Sequence, residues 1–159
     1  MKIKKPFNLN HWIEANRQFL KPPVGNKTIY DESSDDYIVM VVGGPNARKD
    51  YHYNETEELF YQLEGEITIY VQEDGIKKAM KLGPGDMYLH PAKVPHSPAR
   101  TEGSVGLVIE RKRAGKGFND GLLWFCDNCN HKLHEVYFEL HDIEKDFLPH
   151  FSTFYNSEE

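Results

Sequence analysis

Gly44-Pro-Asn-Ala-Arg48-Lys-Asp50-Tyr-His52-Tyr-Asn-Glu-Thr-Glu57-Glu58-Leu-Phe60-Tyr-Gln-Leu-Glu-Gly65 is the most informative stretch of this chain. It sets a His and a Glu beside a short β-forming run, Leu59–Leu63, that closes on a Glu-Gly turn. A second stretch is Gly85-Asp86-Met-Tyr-Leu-His90-Pro91-Ala-Lys93-Val-Pro95-His96-Ser-Pro98-Ala-Arg100. Here a Gly-Asp turn leads through a strand to a Pro and then a His. Together they supply two imidazoles, His52 and His96, and one carboxylate, Glu58. That donor set suits a divalent iron with exchangeable positions, because three protein ligands fill one face of an octahedron and leave the other for substrate and oxygen. Neutral imidazoles add no charge, so a single carboxylate leaves a net positive centre that can receive an anionic substrate oxygen.

The text on either side has the same short rhythm. Tyr37–Val42, Glu66–Gln72, Met87–His90, Val105–Arg111 and Glu135–Glu139 are β-rich runs. Gly43-Gly44-Pro45, Glu73-Asp74-Gly75, Gly83-Pro84-Gly85-Asp86 and Glu102-Gly103-Ser104 punctuate them. Ile67, Ile69 and Val71 alternate with Thr68 and Tyr70, as in a strand with one face in a core. Strands this short and closely spaced predict an all-β antiparallel sandwich or barrel. Before them, Leu9, Trp12, Ile13, Phe19 and Leu20 fall at helical spacing behind Asn8 or Asn10 as N-cap, and Lys21-Pro22-Pro23 ends that helix. After Asp142, residues Ile143, Phe147, Leu148, Phe151, Phe154 and Tyr155 predict a helix broken near Pro149 that packs on the outside of the barrel.

A chain of 159 residues, 39% hydrophobic and 13% aromatic, fills one core, so residues 1–159 read as a single domain. Nineteen basic against 25 acidic residues give a net charge of −6, with no basic stripe to track phosphates, which argues against a nucleic-acid partner. Met1-Lys-Ile-Lys-Lys-Pro-Phe puts no apolar stretch behind its lysines, and no apolar run approaches the ~20 residues that cross a bilayer. The expectation is a cytoplasmic protein without a membrane partner. Two cysteines, Cys126 and Cys129, form a C-x-x-C that suggests metal or redox chemistry in a reducing compartment, against a bland reading as ordinary thiols.

The two stretches resemble the cupin superfamily, whose fold is an antiparallel double-stranded β-helix or jelly-roll barrel. Gly44, His52, Glu58 and Gly65 fall on its first motif, within residues 44–65, and Gly85, Pro91 and His96 on its second, within 85–100. Asp50 stands where the first motif usually carries its first His, and Lys93 where the second usually has Gly. The first departure predicts a two-His, one-Glu site and speaks against the all-His thiol dioxygenases.

A closer resemblance covers nearly the whole chain. Pro6-Phe7-Asn8, Leu20-Lys-Pro-Pro-Val-Gly-Asn26, Val41-Val-Gly-Gly-Pro-Asn46, Asp50-Tyr-His52, Phe60-Tyr-Gln-Leu63, His96-Ser-Pro98, Leu107-Val-Ile-Glu-Arg111 and Trp124 resemble the bacterial 3-hydroxyanthranilate 3,4-dioxygenases. That resemblance implies that His52, Glu58 and His96 bind a catalytic Fe(II). It implies that Arg100, Glu110 and Glu58 contact 3-hydroxyanthranilate, and that Arg48 and Asp50 lie beside O2. The implied product is 2-amino-3-carboxymuconate semialdehyde, which closes to quinolinate, in the kynurenine route of tryptophan breakdown or in NAD synthesis. A homodimer is also implied. An ortho hydroxyl and amine chelate a metal, and a guanidinium pairs bidentately with the ring carboxylate. Glu110 sits in an apolar run, where it faces either the interior with a partner or solvent from an edge strand.

In the resembling family, the Cys126/Cys129 pair is half of a four-cysteine, rubredoxin-like iron site whose other half lies near the carboxyl terminus. The residues from Tyr155 to Glu159 hold no cysteine, so either the sequence is truncated there or this member keeps half of the ligands for a second Fe or Zn, a zinc-like set that His131 or His134 would complete. His90 reads as structural, and His11, His131, His134, His141 and His150 as surface residues. Three rival functions stay in view: a dioxygenase for a related aminophenol or catechol, a non-catalytic or isomerase-type cupin holding Mn, Ni or Zn, and a small zinc-ribbon-like interaction protein. The last leaves both His-bearing stretches unexplained.

Overall fold

Asn8 starts the first helix by accepting a hydrogen bond from the His11 N–H, and α1 (Leu9–Asn16) runs into a 3-10 turn at Arg17–Phe19. Ile13 and Leu20 are buried against Val41 and Val105, which fixes this segment to the sheet behind it. The computed structural model describes residues 3–23, 25–30, 34–46, 48–143 and 145–157. Its strands in chain order are β1 (Asn26–Thr28), β2 (Tyr37–Gly43), β3 (Tyr51–Asn54), β4 (Glu58–Glu64), β5 (Ile67–Glu73) and β6 (Ile76–Leu82). They continue as β7 (Met87–His90), β8 (His96–Arg100), β9 (Val105–Arg111), β10 (Asp120–Phe125) and β11 (Lys132–Phe138).

These strands make two antiparallel sheets, one ordered β1-β2-β9-β4-β7 and the other β11-β10-β3-β8-β5-β6. Ile67, Ile69 and Val71 point into the core with Phe60 and Val108, as their alternation predicts. The registers then fix the site. In one sheet His52 of β3 lies directly opposite His96 of β8. In the other, Glu58 of β4 lies between His90 of β7 and Glu110 of β9. The imidazoles and the acids therefore come from different sheets, with the interior between them.

Five strands escape the sequence reading: β1, β3, β6, β8 and β10. β6 is an exposed edge carrying Lys77, Lys78 and Lys81, with only Leu82 buried, so it has no inward periodicity to detect. β10 has the opposite problem, being buried along nearly its whole length, so its residues do not alternate. Pro98 masks β8, since proline breaks most strand patterns. The C-terminal prediction also changes. Pro149 lies in the first turn of α2 (Leu148–Tyr155), where its missing N–H costs nothing, so it opens the helix instead of breaking it. α2 packs on β10: Phe154 stacks on Trp124 with ring centroids 4.4 Å apart. Phe147, just before α2, joins Leu122 and Trp124 in one apolar cluster.

Candidate metal centre

Each candidate ligand is placed by strand geometry. The Asp50, His52 and Asn54 side chains share one face of the β3 segment, and His96 and Arg100 share one face of β8, by the two-residue period of an extended chain. One ligand atom each from His52, Glu58 and His96 lies within 4.8 Å of the other two, and all three residues are buried. His96 Nε2 is 3.0 Å from Glu58 Oε2.

Their protonation favours metal binding. Burial pushes His52 down, and the opposing pull of the Asp120 carboxylate does not reverse it, so the imidazole is neutral. Burial pushes Glu58 up, but the neighbouring His96 and His52 outweigh it and hold the carboxyl below its usual range, ionised. A neutral imidazole and an ionised carboxylate are donors that a divalent ion takes. Buried polar atoms around them have no protein partner, among them His96 Nδ1, Arg100 NH1 and Glu110 Oε1. Such atoms are costly to bury unless something fills the cavity, so the residues present fit a bound metal and a polar ligand.

Arg48, Asp50, Arg100 and Glu110, the residues predicted to contact substrate and O2, line the same cavity, of about 110 Å3. Arg100 is 7% exposed, and burial brings its guanidinium down to about 10, with Glu58 opposing and Arg48 assisting. Its backbone N–H donates to Asn46 Oδ1 at 2.8 Å, which anchors the strand independently of the side chain. Gly106 makes room for the guanidinium: a Cβ there would lie 3.1 Å from Arg100 NH1 and 2.8 Å from Gln62 Oε1. Glu110 faces inward, which removes the solvent-facing alternative, and Arg113 NH1 is its partner at 3.3 Å. Burial and the charge of Glu58 push Glu110 up to about 8, against the pull of Arg113, so it is largely protonated at neutral pH. Arg48 Nε donates to Asp50 Oδ1 at 2.9 Å, and a second N–H pairs with Oδ2. Asp50 is buried while Arg48 is half-exposed, its guanidinium 5.4 Å from the ring of Phe147 and 5.2 Å from that of Phe151.

With this geometry in place, the relatives of the chain become informative. The sequence profile of the 3-hydroxyanthranilic acid dioxygenases matches residues 1–155. The chain belongs to the 3-hydroxyanthranilic acid dioxygenase family. The 3-hydroxyanthranilate 3,4-dioxygenase of Xanthomonas euvesicatoria pv. vesicatoria is 55% identical over 152 residues, spanning 96% of this chain and 84% of that protein. The Bacillus thuringiensis enzyme of the same name is 43% identical over 159 residues, spanning 99% of this chain and 87% of that protein. Among solved structures, a cupin-2 domain protein from Shewanella frigidimarina aligns with a TM-score of 0.52 at 23% identity, over 66% of this chain and 93% of that one. A Neisseria meningitidis protein aligns at 0.53 and 18% identity, over 67% of this chain and 99% of that one. Those two likenesses support the cupin fold.

In this 3-hydroxyanthranilic acid dioxygenase, the sequence reading passed over three buried polar residues that surround the site. Asn54 Nδ2 lies 3.3 Å from Glu58 Oε2 and 3.4 Å from Glu110 Oε2. Asp120 Oδ2 is 2.6 Å from His52 Nε2. Arg113 grips Asp120 through Nε at 2.6 Å and NH2 at 2.8 Å. Asn119-Asp120-Gly121 has the composition of a turn, which hides the start of a strand. The family position of Lys93 gains an explanation: its φ is +66°, the left-handed region that glycine occupies without cost.

His90 is structural, as expected. Its Nε2 is 2.7 Å from the Val94 carbonyl and its Nδ1 is 3.1 Å from the Tyr88 hydroxyl. Of the other histidines, His11, His131 and His141 are exposed. His134 and His150 are half-buried, contrary to a surface placement, because aromatic rings of the C-terminal segment and β10 and β11 cover them. Cys126 and Cys129 are free thiols in the turn after β10. The backbone N–H groups of Cys129 and Asn128 hold the Cys126 thiol below its usual value. Among the described residues neither His131 nor His134 joins them in a cluster of three ligands. A larger cavity of about 400 Å3, bordered by Val39, Lys112 and Leu140, contains none of the predicted ligands. Among the described residues no helix is long and apolar enough to cross a membrane.

Proposed function

We propose that this chain opens the ring of 3-hydroxyanthranilate with O2 at one Fe(II) held by His52, Glu58 and His96, giving 2-amino-3-carboxymuconate semialdehyde, the precursor of quinolinate. The observation that carries this reading is the buried Arg100 guanidinium, whose NH1 has no hydrogen-bond partner, in the same cavity as the His52, Glu58 and His96 set. A buried cation facing a metal centre calls for a ligand with an anionic arm and a chelating arm, and 3-hydroxyanthranilate has both.

When bound, Fe(II) supplies the open positions at which the aminophenol and O2 meet and the electron path between them. The protein residues do the rest. Arg100 fixes the substrate carboxylate and so the rotation of the ring. Glu110, protonated and with Oε1 free, hydrogen-bonds the ring substituents. Glu58 also lies against the ring. Arg48, oriented by Asp50, stabilises negative charge growing on oxygen. Phe60, Val108 and Phe147 supply an apolar wall that excludes water.

The chain works in the cytoplasm, a reading that rests on its amino-terminal sequence and cysteine usage, and as a homodimer, which rests on the family resemblance. A second Fe or Zn at Cys126 and Cys129 would need donors beyond those that the described residues bring to the pair. The test of the activity is a stoichiometry. Fe(II)-loaded protein given a limited amount of 3-hydroxyanthranilate should consume one O2 per molecule, and mass spectrometry should show the ring-opened acid and then quinolinate. Hydrogen peroxide in place of ring-opened product would contradict a dioxygenase.

A further inference from the structure

Asp120 and Arg113 are almost entirely buried, at 0% and 1% exposure, and lie outside the ligand set. Two charges without solvent are expensive, and an apolar pair of the same volume is often no worse for stability. Their placement is specific. Arg113 is fixed from three sides: it donates to both oxygens of Asp120, to the Arg111 carbonyl at 2.7 Å through NH1, and through the same nitrogen lies 3.3 Å from Glu110. A two-pronged guanidinium sets the plane of the carboxylate it holds. Asp120 begins β10 opposite Asn54, so its side chain reaches the diagonal neighbour His52, where Oδ2 meets Nε2 at 2.6 Å.

We infer that Asp120, clamped by Arg113, is the positioning residue for His52: it accepts a hydrogen bond from Nε2–H, which holds that tautomer, fixes the ring plane, and leaves Nδ1 as the nitrogen free to ligate the metal. A carboxylate behind a ligating imidazole is a general device for fixing tautomer and raising ligand basicity. The Glu110 contact extends the chain, so one rigid network, Glu110–Arg113–Asp120–His52, spans from the substrate-facing acid to the ligand. The inference rests on reading His52 as a ligand, and the experiment separates the two.

Co(II), a spectroscopic stand-in for Fe(II), is titrated into metal-free wild type and Asp120→Asn, and nitrogen-detected NMR reads the His52 tautomer in both metal-free proteins. Wild type should bind one Co(II) per chain and show an Nε2–H imidazole. Asp120→Asn should turn its amide N–H toward either His52 or Arg113, losing about 10–100-fold in Co(II) affinity with a changed His52 signal while its circular dichroism stays native. Affinity within twofold of wild type, or an Nδ1–H tautomer in wild type itself, overturns the inference. Should Asp120→Asn not fold, Arg113→Lys keeps a positive charge but loses the fork: a severalfold loss of affinity supports the clamp, and unchanged affinity overturns it. Wild type that binds no metal would instead overturn the reading of the centre.

Discussion

Replacing Arg100 by Gln isolates the group that selects a carboxylate-bearing substrate. The side chain is 7% exposed, its NH1 has no protein partner, and the strand it sits on is anchored by the backbone bond to Asn46. Nothing in the fold depends on its charge, so the variant should keep its structure and melt at the same temperature or higher, an unpaired buried cation having been removed. Binding is a different matter. Removing one side of a buried, bidentate guanidinium–carboxylate pair costs about 3–5 kcal/mol. At about 1.4 kcal/mol per decade, this becomes a fall of roughly 10²- to 4 × 10³-fold in kcat/KM for 3-hydroxyanthranilate. The assay is steady-state oxygen uptake by Fe(II)-loaded protein on 3-hydroxyanthranilate and on 2-aminophenol, which lacks the carboxylate. Turnover of 2-aminophenol, slow in wild type, should change by less than about threefold. Equal losses on both substrates would refute the carboxylate clamp and give Arg100 a general role at the centre.

Further expectations concern stability and the second sulfur pair. Lys93→Gly relieves a left-handed backbone at φ +66° and should stabilise the protein by roughly 1 kcal/mol in urea, whereas destabilisation would show that Lys93 has a contact worth more than the strain. His90, buried beside His96, is held down at about 4, so between pH 6.5 and 4 the unfolded chain takes up a proton that the folded chain refuses. Its contribution is complete above about pH 6.5 and is lost toward pH 4, on the order of 3 kcal/mol, and His52 acts in the same direction. Urea midpoints of metal-free protein should therefore fall steadily over that window, less so in His90→Gln, and a flat profile in wild type would contradict the burial argument. The double substitution Cys126→Ala with Cys129→Ala should leave ring-opening turnover intact. Turnover abolished in a folded, Fe(II)-loaded double variant would tie the turn after β10 to the chemistry.

What was legible in the sequence depended on how each residue signals its surroundings. Alternation exposed β5, because Ile67, Ile69 and Val71 bury one face only. The strand β3, which carries His52, stayed hidden, since Tyr-His-Tyr-Asn is four residues long and its inward side chains at the site, His52 and Asn54, are polar. His52, Glu58 and His96 were found by spacing and resemblance, and the registers bring them together from two sheets. Asp120 and Arg113 were missed for the opposite reason: a charged residue reads as solvated unless its partner is known, and the strand pairing that brings Asp120 to His52 joins residues distant in sequence. Pro149 misled because its effect depends on position within a helix, which the local sequence does not fix.

The most direct test of the central claim is an anaerobic Fe(II) titration followed, in the same vessel, by 3-hydroxyanthranilate and air. One Fe(II) per chain at this centre, with rapid oxygen uptake that disappears in His52→Ala, Glu58→Ala and His96→Ala, is the predicted result. A folded, Fe(II)-loaded wild type that consumes no oxygen, or alanine variants that turn over normally, would contradict it.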